Sequence, residues 1–211
     1  MRLLLLAPHC DDEMAALPIY FYIQKRSTVE LEVLSFSSCE ETAQSSLGYE
    51  KDAIAKEEQA ALSALGIPHK NIYRFQFRVR RFSEYRQEIL EKLIKTRSDF
   101  TPDIVIGSGS SDVHQDHRVV YEEMLRCFKN SATVIGFCYP WNTFCESNNI
   151  FIELDETMVQ KVVAFTSFFK TQKHKHYMQE DFIRAQFMAN GVKIGKPFAA
   201  AYQLIRFRGT L

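Results

Sequence analysis

The chain has 211 residues, of which 46% are hydrophobic and 25% charged, with 8 Gly and 6 Pro; that balance excludes a disordered, collagenous or coiled-coil chain and is about one globular domain's worth. Its 26 basic residues cancel its 26 acidic ones, so no overall positive field exists to gather nucleic acid or anionic lipid, and any charge-driven partner must be met by a local patch. Cys10, Cys39, Cys127, Cys138 and Cys145 are odd in number and form no CxxC pair, which argues against a disulfide framework and a cysteine-based zinc site.

The run Leu3, Leu4, Leu5, Leu6, Ala7 is shorter than the ~7–15 residue core of a signal peptide and runs straight into Asp11 and Asp12. It reads as a buried strand over residues 2–7. No other stretch approaches the ~18 apolar residues of a membrane span, so the expected location is cytoplasmic. Further strands are expected over residues 29–36, 71–75, 104–107 and 133–137, each short and rich in apolar or β-branched residues, as suits strands covered on both faces. Helices are expected between them over 50–65, stopped by Gly66 and Pro68, over 84–96 and over 118–129. A first helix should follow the acidic residues after the first strand, with Pro18 kinking or delaying it. In the last third, 150–154 and 200–207 read as strands and 158–170 and 181–190 as helices. The alternation predicts one α/β domain over 1–211 with a mostly parallel central sheet, and residues 150–211 closing over it.

Two segments carry chemistry. His9-Cys10-Asp11-Asp12-Glu13 lies where the first strand should meet its helix, the edge at which α/β proteins bind ligands. Adjacent carboxylates beside a histidine suggest a cation or a proton-transfer task, while capping of the helix dipole is the plain alternative. Asp112-Val113-His114-Gln115-Asp116-His117 repeats that placement after the strand over 104–107. Two such segments at corresponding strand ends make accidental capping a poor account of both. Nitrogen and carboxylate ligands without a thiolate cluster fit zinc best, with Fe2+ or Co2+ able to share such ligands. His9, Asp12 and His117 are candidates for the three protein ligands, Asp11 for the base that takes a proton from the attacking water, and protonated His114 for meeting developing charge, although spacing alone does not divide these roles.

Other features have plainer readings beside the functional ones. Cys10 as a nucleophile would leave the acids and histidines unexplained, so space-filling is preferred. Arg74, Arg78, Arg80, Arg81 and Arg86, interleaved with Phe75, Phe77 and Phe82, are either a phosphate grip or a solvated loop. Trp141 and Asn142 after Pro140 are either a sugar platform or a packed loop. The run Lys173 to Tyr177 reads as an exposed basic turn outside the mechanism. Residues 107–111 lack the lysine and spacing of a P-loop, and no GxGxxG follows the first strand, so no nucleotide cofactor is expected.

The pair His9-Cys10-Asp11-Asp12-Glu13 and His114-Gln115-Asp116-His117 resembles the two signature motifs of the PIG-L (LmbE-like) zinc-dependent N-deacetylases, usually His-Pro-Asp-Asp-Glu and His-x-Asp-His. The similarity extends through Arg81 to Gln87, Pro140-Trp141-Asn142 and Gly191 to Gly195, and is nearest the bacterial branch acting on N-acetylated sugars. The resemblance implies a Rossmann-like three-layer sandwich without a dinucleotide site. It implies one zinc held by His9, Asp12 and His117, Asp11 as general base, His114 stabilising the oxyanion, and removal of an acetyl group from a GlcNAc-type conjugate. Asp116 is expected to orient an imidazole, and Arg81, Arg86, Trp141 and Asn142 to meet the substrate. Cys10 departs from the usual proline, Ala16-Leu17-Pro18 from a small glycine-containing stretch, Thr171-Gln172 from Ser-Gln, and Ala200 from a glutamate in Ala-Glu-x-Phe. The rivals are an O-acyl or phosphate ester metallohydrolase and a catalytically silent sugar-binding homologue; a homo-oligomer stays open.

Overall fold

Side chains alternate across a strand, so four consecutive leucines can be buried only if both faces of the sheet are covered. In the computed structural model, which describes residues 1–46, 48–145 and 147–209, β1 (Arg2–His9) meets that condition. Leu3 and Leu5 enter one hydrophobic cluster and Leu4 and Leu6 another, all four fully buried. Each contributes about 2 kcal/mol through removal from water. β2 (Glu30–Ser37), β3 (Ile72–Arg74), β4 (Ile104–Ser108) and β5 (Thr133–Phe137) continue the parallel part, in which Val33, Ile106 and Ile135 face the first cluster and Leu34, Val105 and Val134 the second.

The first cluster is covered by α1 (Glu13–Gln24), α2 (Ala53–Ala64), α5 (Glu156–Ser167) and α6 (Glu180–Val192), and the second by α3 (Arg86–Phe100) and α4 (Gln115–Phe128). The three-layer, Rossmann-like sandwich expected above is therefore present. Within residues 150–209 two strands join the sheet itself. β6 (Ile150–Glu153) and β7 (Ala199–Arg206) extend the sheet as antiparallel strands, in the order β3-β2-β1-β4-β5-β7-β6.

This order positions the site. The chain winds outward from β1 to β3 with α1 and α2 on one face, then returns to β4 and β5 with α3 and α4 on the other. The reversal falls between β1 and β4, and a crevice opens at their carboxyl ends. Close packing beyond β4 depends on glycine: a Cβ on Gly136 would stand 2.7 Å from the Gly109 Cα. α2 ends as expected, with Gly66 in the left-handed region at φ +79°.

Two local expectations are corrected. α1 starts at Glu13 and runs through Pro18 without delay. Beside the proline, the buried Tyr202 hydroxyl donates to the Ala15 carbonyl at 2.9 Å and accepts the Ile19 amide at 3.2 Å, serving backbone groups of the helix that a proline disturbs. α4 begins at Gln115 rather than near residue 118, which carries Asp116 and His117 on its first turn. Among the described residues no helix is long and apolar enough to cross a membrane.

Candidate metal centre and substrate cleft

β1 ends at His9, whose carbonyl accepts the amides of Asp11 at 2.9 Å and Asp12 at 3.2 Å, turning the chain into α1. Asp12 occupies the N-cap position, yet its carboxylate makes no capping bond. Its Oδ2 instead accepts the His9 amide at 2.8 Å and lies 3.2 Å from both His9 Nδ1 and His117 Nε2. The two ring nitrogens are 3.3 Å apart. Capping, the plain reading of this segment, therefore does not account for Asp12.

The outer nitrogens of both rings face carboxylates: His9 Nε2 lies 3.1 Å from Asp116 Oδ2, and His117 Nδ1 lies 2.7 Å from Asp112 Oδ2. Protons drawn to those outer positions leave two lone pairs pointing at a third acceptor, Asp12 Oδ2, an arrangement that repels itself unless a cation stands between. Tetrahedral bonds of about 2.0–2.1 Å set ligand edges of about 3.3 Å, and the triangle has edges of 3.2, 3.2 and 3.3 Å. The donor set thus fits a small divalent ion. A second grouping, His9, His114 and Asp116, fits less well, because both Asp116 oxygens are already engaged, Oδ2 by the Arg80 amide at 2.5 Å and Oδ1 by the Phe82 amide at 3.2 Å.

Without an ion, protons answer the same field. Burial opposes the charge on His117, but Asp12 and Asp112 outweigh it and raise its pKa to about 10. Burial likewise works against the Asp12 carboxylate, yet His117 and His9 hold it well below the usual range. Asp11, beside the triangle in sequence, has its carboxyl pushed up by burial, with Lys175 acting in the opposite sense. His114 differs from expectation. Burial, then the charges of His9 and His117, lower it to about 4, so it is neutral near pH 7. Its Nδ1 accepts the Asp116 amide at 3.2 Å, which places the ring proton on Nε2. The expected imidazolium is corrected to a neutral N–H donor.

A cleft of about 250 Å³ beside the triangle is lined by Asp11, His114, Arg80, Asn142 and Lys175 among others. Trp141 also lines it, but its ring is stacked between Tyr139 at 4.5 Å and Tyr177 at 4.0 Å, so it offers a sugar an edge rather than an open face. The Val113 amide donates to the Asn142 carbonyl at 2.9 Å, tying this loop to the histidine segment. Arg81 and Arg86 are not among the lining residues. Arg81 pairs with Glu84 at 2.5 Å on the exposed surface, and Arg86 is held by Glu122 at 2.7 Å and Glu123 at 2.5 Å. Their sequence-based assignment to the substrate is corrected: it is Arg80 that lies in the cleft.

Two residues escaped sequence reasoning. Lys175, assigned to an exposed turn, is half-buried with Nζ 3.8 Å from Asp11 Oδ2; only its neighbours Lys173, His174 and His176 are exposed. Asp112 is buried and backs His117, a role signalled only by its place at the head of the second segment. The remaining motif positions are structural. Glu13 is fully buried beside Glu58 and Ser35. Cys10 is fully buried, donates to the Ser37 carbonyl at 3.1 Å, and has its thiol pKa pushed well up by burial, as suits packing rather than attack. Ala200 is buried, lines a separate small cavity and does not line the cleft.

Similarity to known proteins agrees with this geometry. No curated protein sequence matches the chain. Among solved structures, N,N'-diacetylchitobiose deacetylase from Pyrococcus horikoshii is 18% identical with a TM-score of 0.69, over 96% of this chain and 82% of that one. The zinc-inhibited form of teicoplanin deacetylase Orf2 is 12% identical with a TM-score of 0.76, over 96% of this chain and 97% of that one. GalB, the 4-carboxy-2-hydroxymuconate hydratase of Pseudomonas putida KT2440, is 14% identical with a TM-score of 0.68, over 100% and 98%. These likenesses establish the shared fold, which evidently hosts more than one reaction. The family profile described as GlcNAc-PI de-N-acetylase matches residues 4–128, a span that contains both histidine segments and more than half of the sequence, and the chain therefore belongs to the PIG-L family.

Proposed function

We propose that this protein is a zinc-dependent hydrolase that removes the acetyl group from an N-acetylated sugar, a GlcNAc-type conjugate, releasing acetate and a free amine. The observation that carries the reading is the convergence of His9 Nδ1, Asp12 Oδ2 and His117 Nε2 on one point beside a cleft lined by Asp11 and His114. His9, Asp12 and His117 would hold the ion, backed by Asp116 and Asp112. When bound, zinc supplies Lewis acidity, polarising the amide carbonyl and making water a better nucleophile at neutral pH.

The chain's own groups do the rest. Asp11, whose burial brings its carboxyl nearer neutrality, takes the proton from attacking water and returns it to the leaving nitrogen. His114 offers its Nε2 proton as a neutral donor to the carbonyl oxygen as that oxygen gains charge. Asn142 and the Trp141 edge flank the sugar. O-acyl and phosphate esters would meet the same ion but leave no amine, so the released products separate these readings.

Elemental analysis combined with a screen of N-acetylglucosamine conjugates for amine and acetate release tests the proposal. About one ion per chain is expected, with most of it lost in His117→Ala, because a three-ligand site weakens sharply when one imidazole disappears. Full metal retention by that variant would overturn the ligand assignment. A zinc-loaded protein that leaves the whole panel unchanged after long incubation would favour a silent sugar-binding role.

A further inference from the structure

We propose that the protein has a second ligand site, in the cavity between α6 and the loop after β5, which takes an uncharged ring compound carrying an N–H donor. The site does not depend on the deacetylase reading. Its cavity measures about 440 Å³ against about 250 Å³ for the cleft, and among the described residues the two share only Tyr139. The loop between them faces both ways: Trp141 and Asn142 line the cleft, whereas Pro140 and Thr143 line the cavity. Aromatic rings form the partition, with Trp141 4.5 Å from Tyr139 and 5.8 Å from Phe182.

The lining combines a mostly apolar wall with a few fixed polar groups, the usual composition of a small-molecule pocket. Ile183, Phe187 and Gly191 turn α6 toward the core, which leaves Phe182, Ala185, Ala189 and Lys193 on an adjoining face at helical spacing. On the loop side, Asn148 Oδ1 and Thr143 Oγ1 are buried without a hydrogen-bond partner, and both residues line the cavity. Buried polar atoms are costly to leave unpaired. The Cys138 thiol near Thr143 is a weak hydrogen-bonding group and leaves the hydroxyl able to serve a ligand. Asn148 Oδ1 can only accept, so its partner must bring a donor, and the Thr143 hydroxyl can donate in return. A primary carboxamide offers both halves, N–H to Asn148 and carbonyl to Thr143.

Charge and size narrow the class. Among the described residues no Asp or Glu lines the cavity, and the one charged lining residue, Lys193, is exposed with its ammonium 5.5 Å from the ring centre of Phe151, which lies outside the lining. An ionised group set against the buried Asn148 and Thr143 atoms would lose its hydration without gaining a counter-charge. A cavity of about 150 Å³ holds benzene, so this larger one suits two fused rings with a polar substituent.

The site is joined to the metal centre from behind. Tyr139 donates its hydroxyl to the Asp12 carbonyl at 3.0 Å, Thr143 forms an isolated antiparallel bridge with Asp112, and the Val113 amide donates to the Asn142 carbonyl at 2.9 Å. A ligand that holds Tyr139 and Thr143 in place also holds Asp12 and the carboxylate behind His117, and therefore tightens metal binding.

The test titrates three probes into the isotope-labelled, zinc-loaded protein and follows them by NMR: 2-naphthamide, its near-isostere 2-acetonaphthone with methyl in place of the NH2 group, and the anion 2-naphthoate. Ala189 is exposed and lines the cavity, so Ala189→Phe fills the space, and binding at the cavity is the part that this variant removes. There the amide should bind at about 1 mM or tighter, and the ketone and carboxylate at least about tenfold more weakly. Asn148→Leu should bring amide and ketone to within about twofold of each other. Zinc affinity, read by competition with a chelator, should rise about fivefold when the amide is saturating, and zinc should tighten the amide by the same factor. No amide binding, amide binding that both variants leave unmoved, or a carboxylate that binds best at the cavity would each overturn the proposal. Dimerisation abolished by Ala189→Phe, with no amide bound, would make the cavity a contact between copies of the chain instead. Amide binding that leaves zinc affinity unchanged keeps the site and removes its link to the metal centre.

Discussion

Asp112 is the most informative residue to perturb, because it acts on the proposed metal only through other groups. Its Oδ2 lies 2.7 Å from His117 Nδ1 and its Oδ1 accepts the His114 amide at 2.9 Å, in a site that leaves it 2% exposed. Asp112→Asn keeps the shape but replaces two acceptors with one acceptor and one donor. Two N–H groups then compete for a single oxygen, and whichever loses faces the new amide NH2. His117 also loses the charge that fixes its tautomer and raises its basicity. Metal affinity should fall about 10- to 100-fold, or about 1.4–2.7 kcal/mol. Competition against a fluorescent zinc chelator near neutral pH reads this directly, with His117→Ala as the lower limit and circular dichroism as the check on folding. A folded Asp112→Asn protein that binds zinc as tightly as the unaltered chain would refute the two-layer account of the site.

Three further outcomes are expected. Asp11→Asn should keep its metal within about twofold while losing about 10²- to 10⁴-fold in turnover of an accepted substrate, the usual range for a general base; equal loss of both would make Asp11 a ligand instead. Zinc uptake near pH 8 should expel at least one proton per ion, because ligation needs neutral His117, which is held at about 10 in the metal-free protein. Calorimetry in buffers of unequal ionisation enthalpy measures it, and apparent affinity should climb with pH until about 10. The sign for stability is the opposite one. A pKa raised from 6.5 to about 10 stabilises the metal-free fold most below about 6.5, and that contribution is lost as pH rises through about 10. Finally, Tyr202→Phe should cost about 1–2 kcal/mol in urea denaturation, and less in a Pro18→Ala background, where α1 can close its own hydrogen bonds.

The parallel half of the fold was legible because its central strands, β1, β4 and β5, have no polar face. Leu3 to Leu6 admit only a sheet covered on both sides, and the helical periods between strands supply the cover. The C-terminal strands were visible as strands but not as sheet members. An apolar run such as Ala199–Arg206 does not encode which edge it joins or in which direction, since both depend on where β5 leaves a free edge. Pro18 misled for a related reason. Its effect on α1 is answered by a hydroxyl that arrives from residue 202, and no local rule can foresee that partner.

The same distinction divides the site. His9, Asp12 and His117 were legible because each ends or follows a strand at the edge where the winding reverses, so chain position alone brings them together. Lys175 was not, because a basic run looks solvated until a cleft lined by residues from several distant segments is laid against Lys175 and Tyr177. The arginines make the reason concrete. Five similar side chains in one loop carry identical chemistry in sequence, and what separates them is which carboxylates stand opposite. Glu58 lies on α2, Glu41 just beyond β2, Glu84 in the turn before α3, and Glu122 and Glu123 on α4. Those acids hold four of the five, whereas Arg80, without a carboxylate partner among the described residues, lines the cleft. Which of these arginines is paired is a property of the whole assembled fold, whereas the His9, Asp12 and His117 triangle is set by the few atoms that meet there.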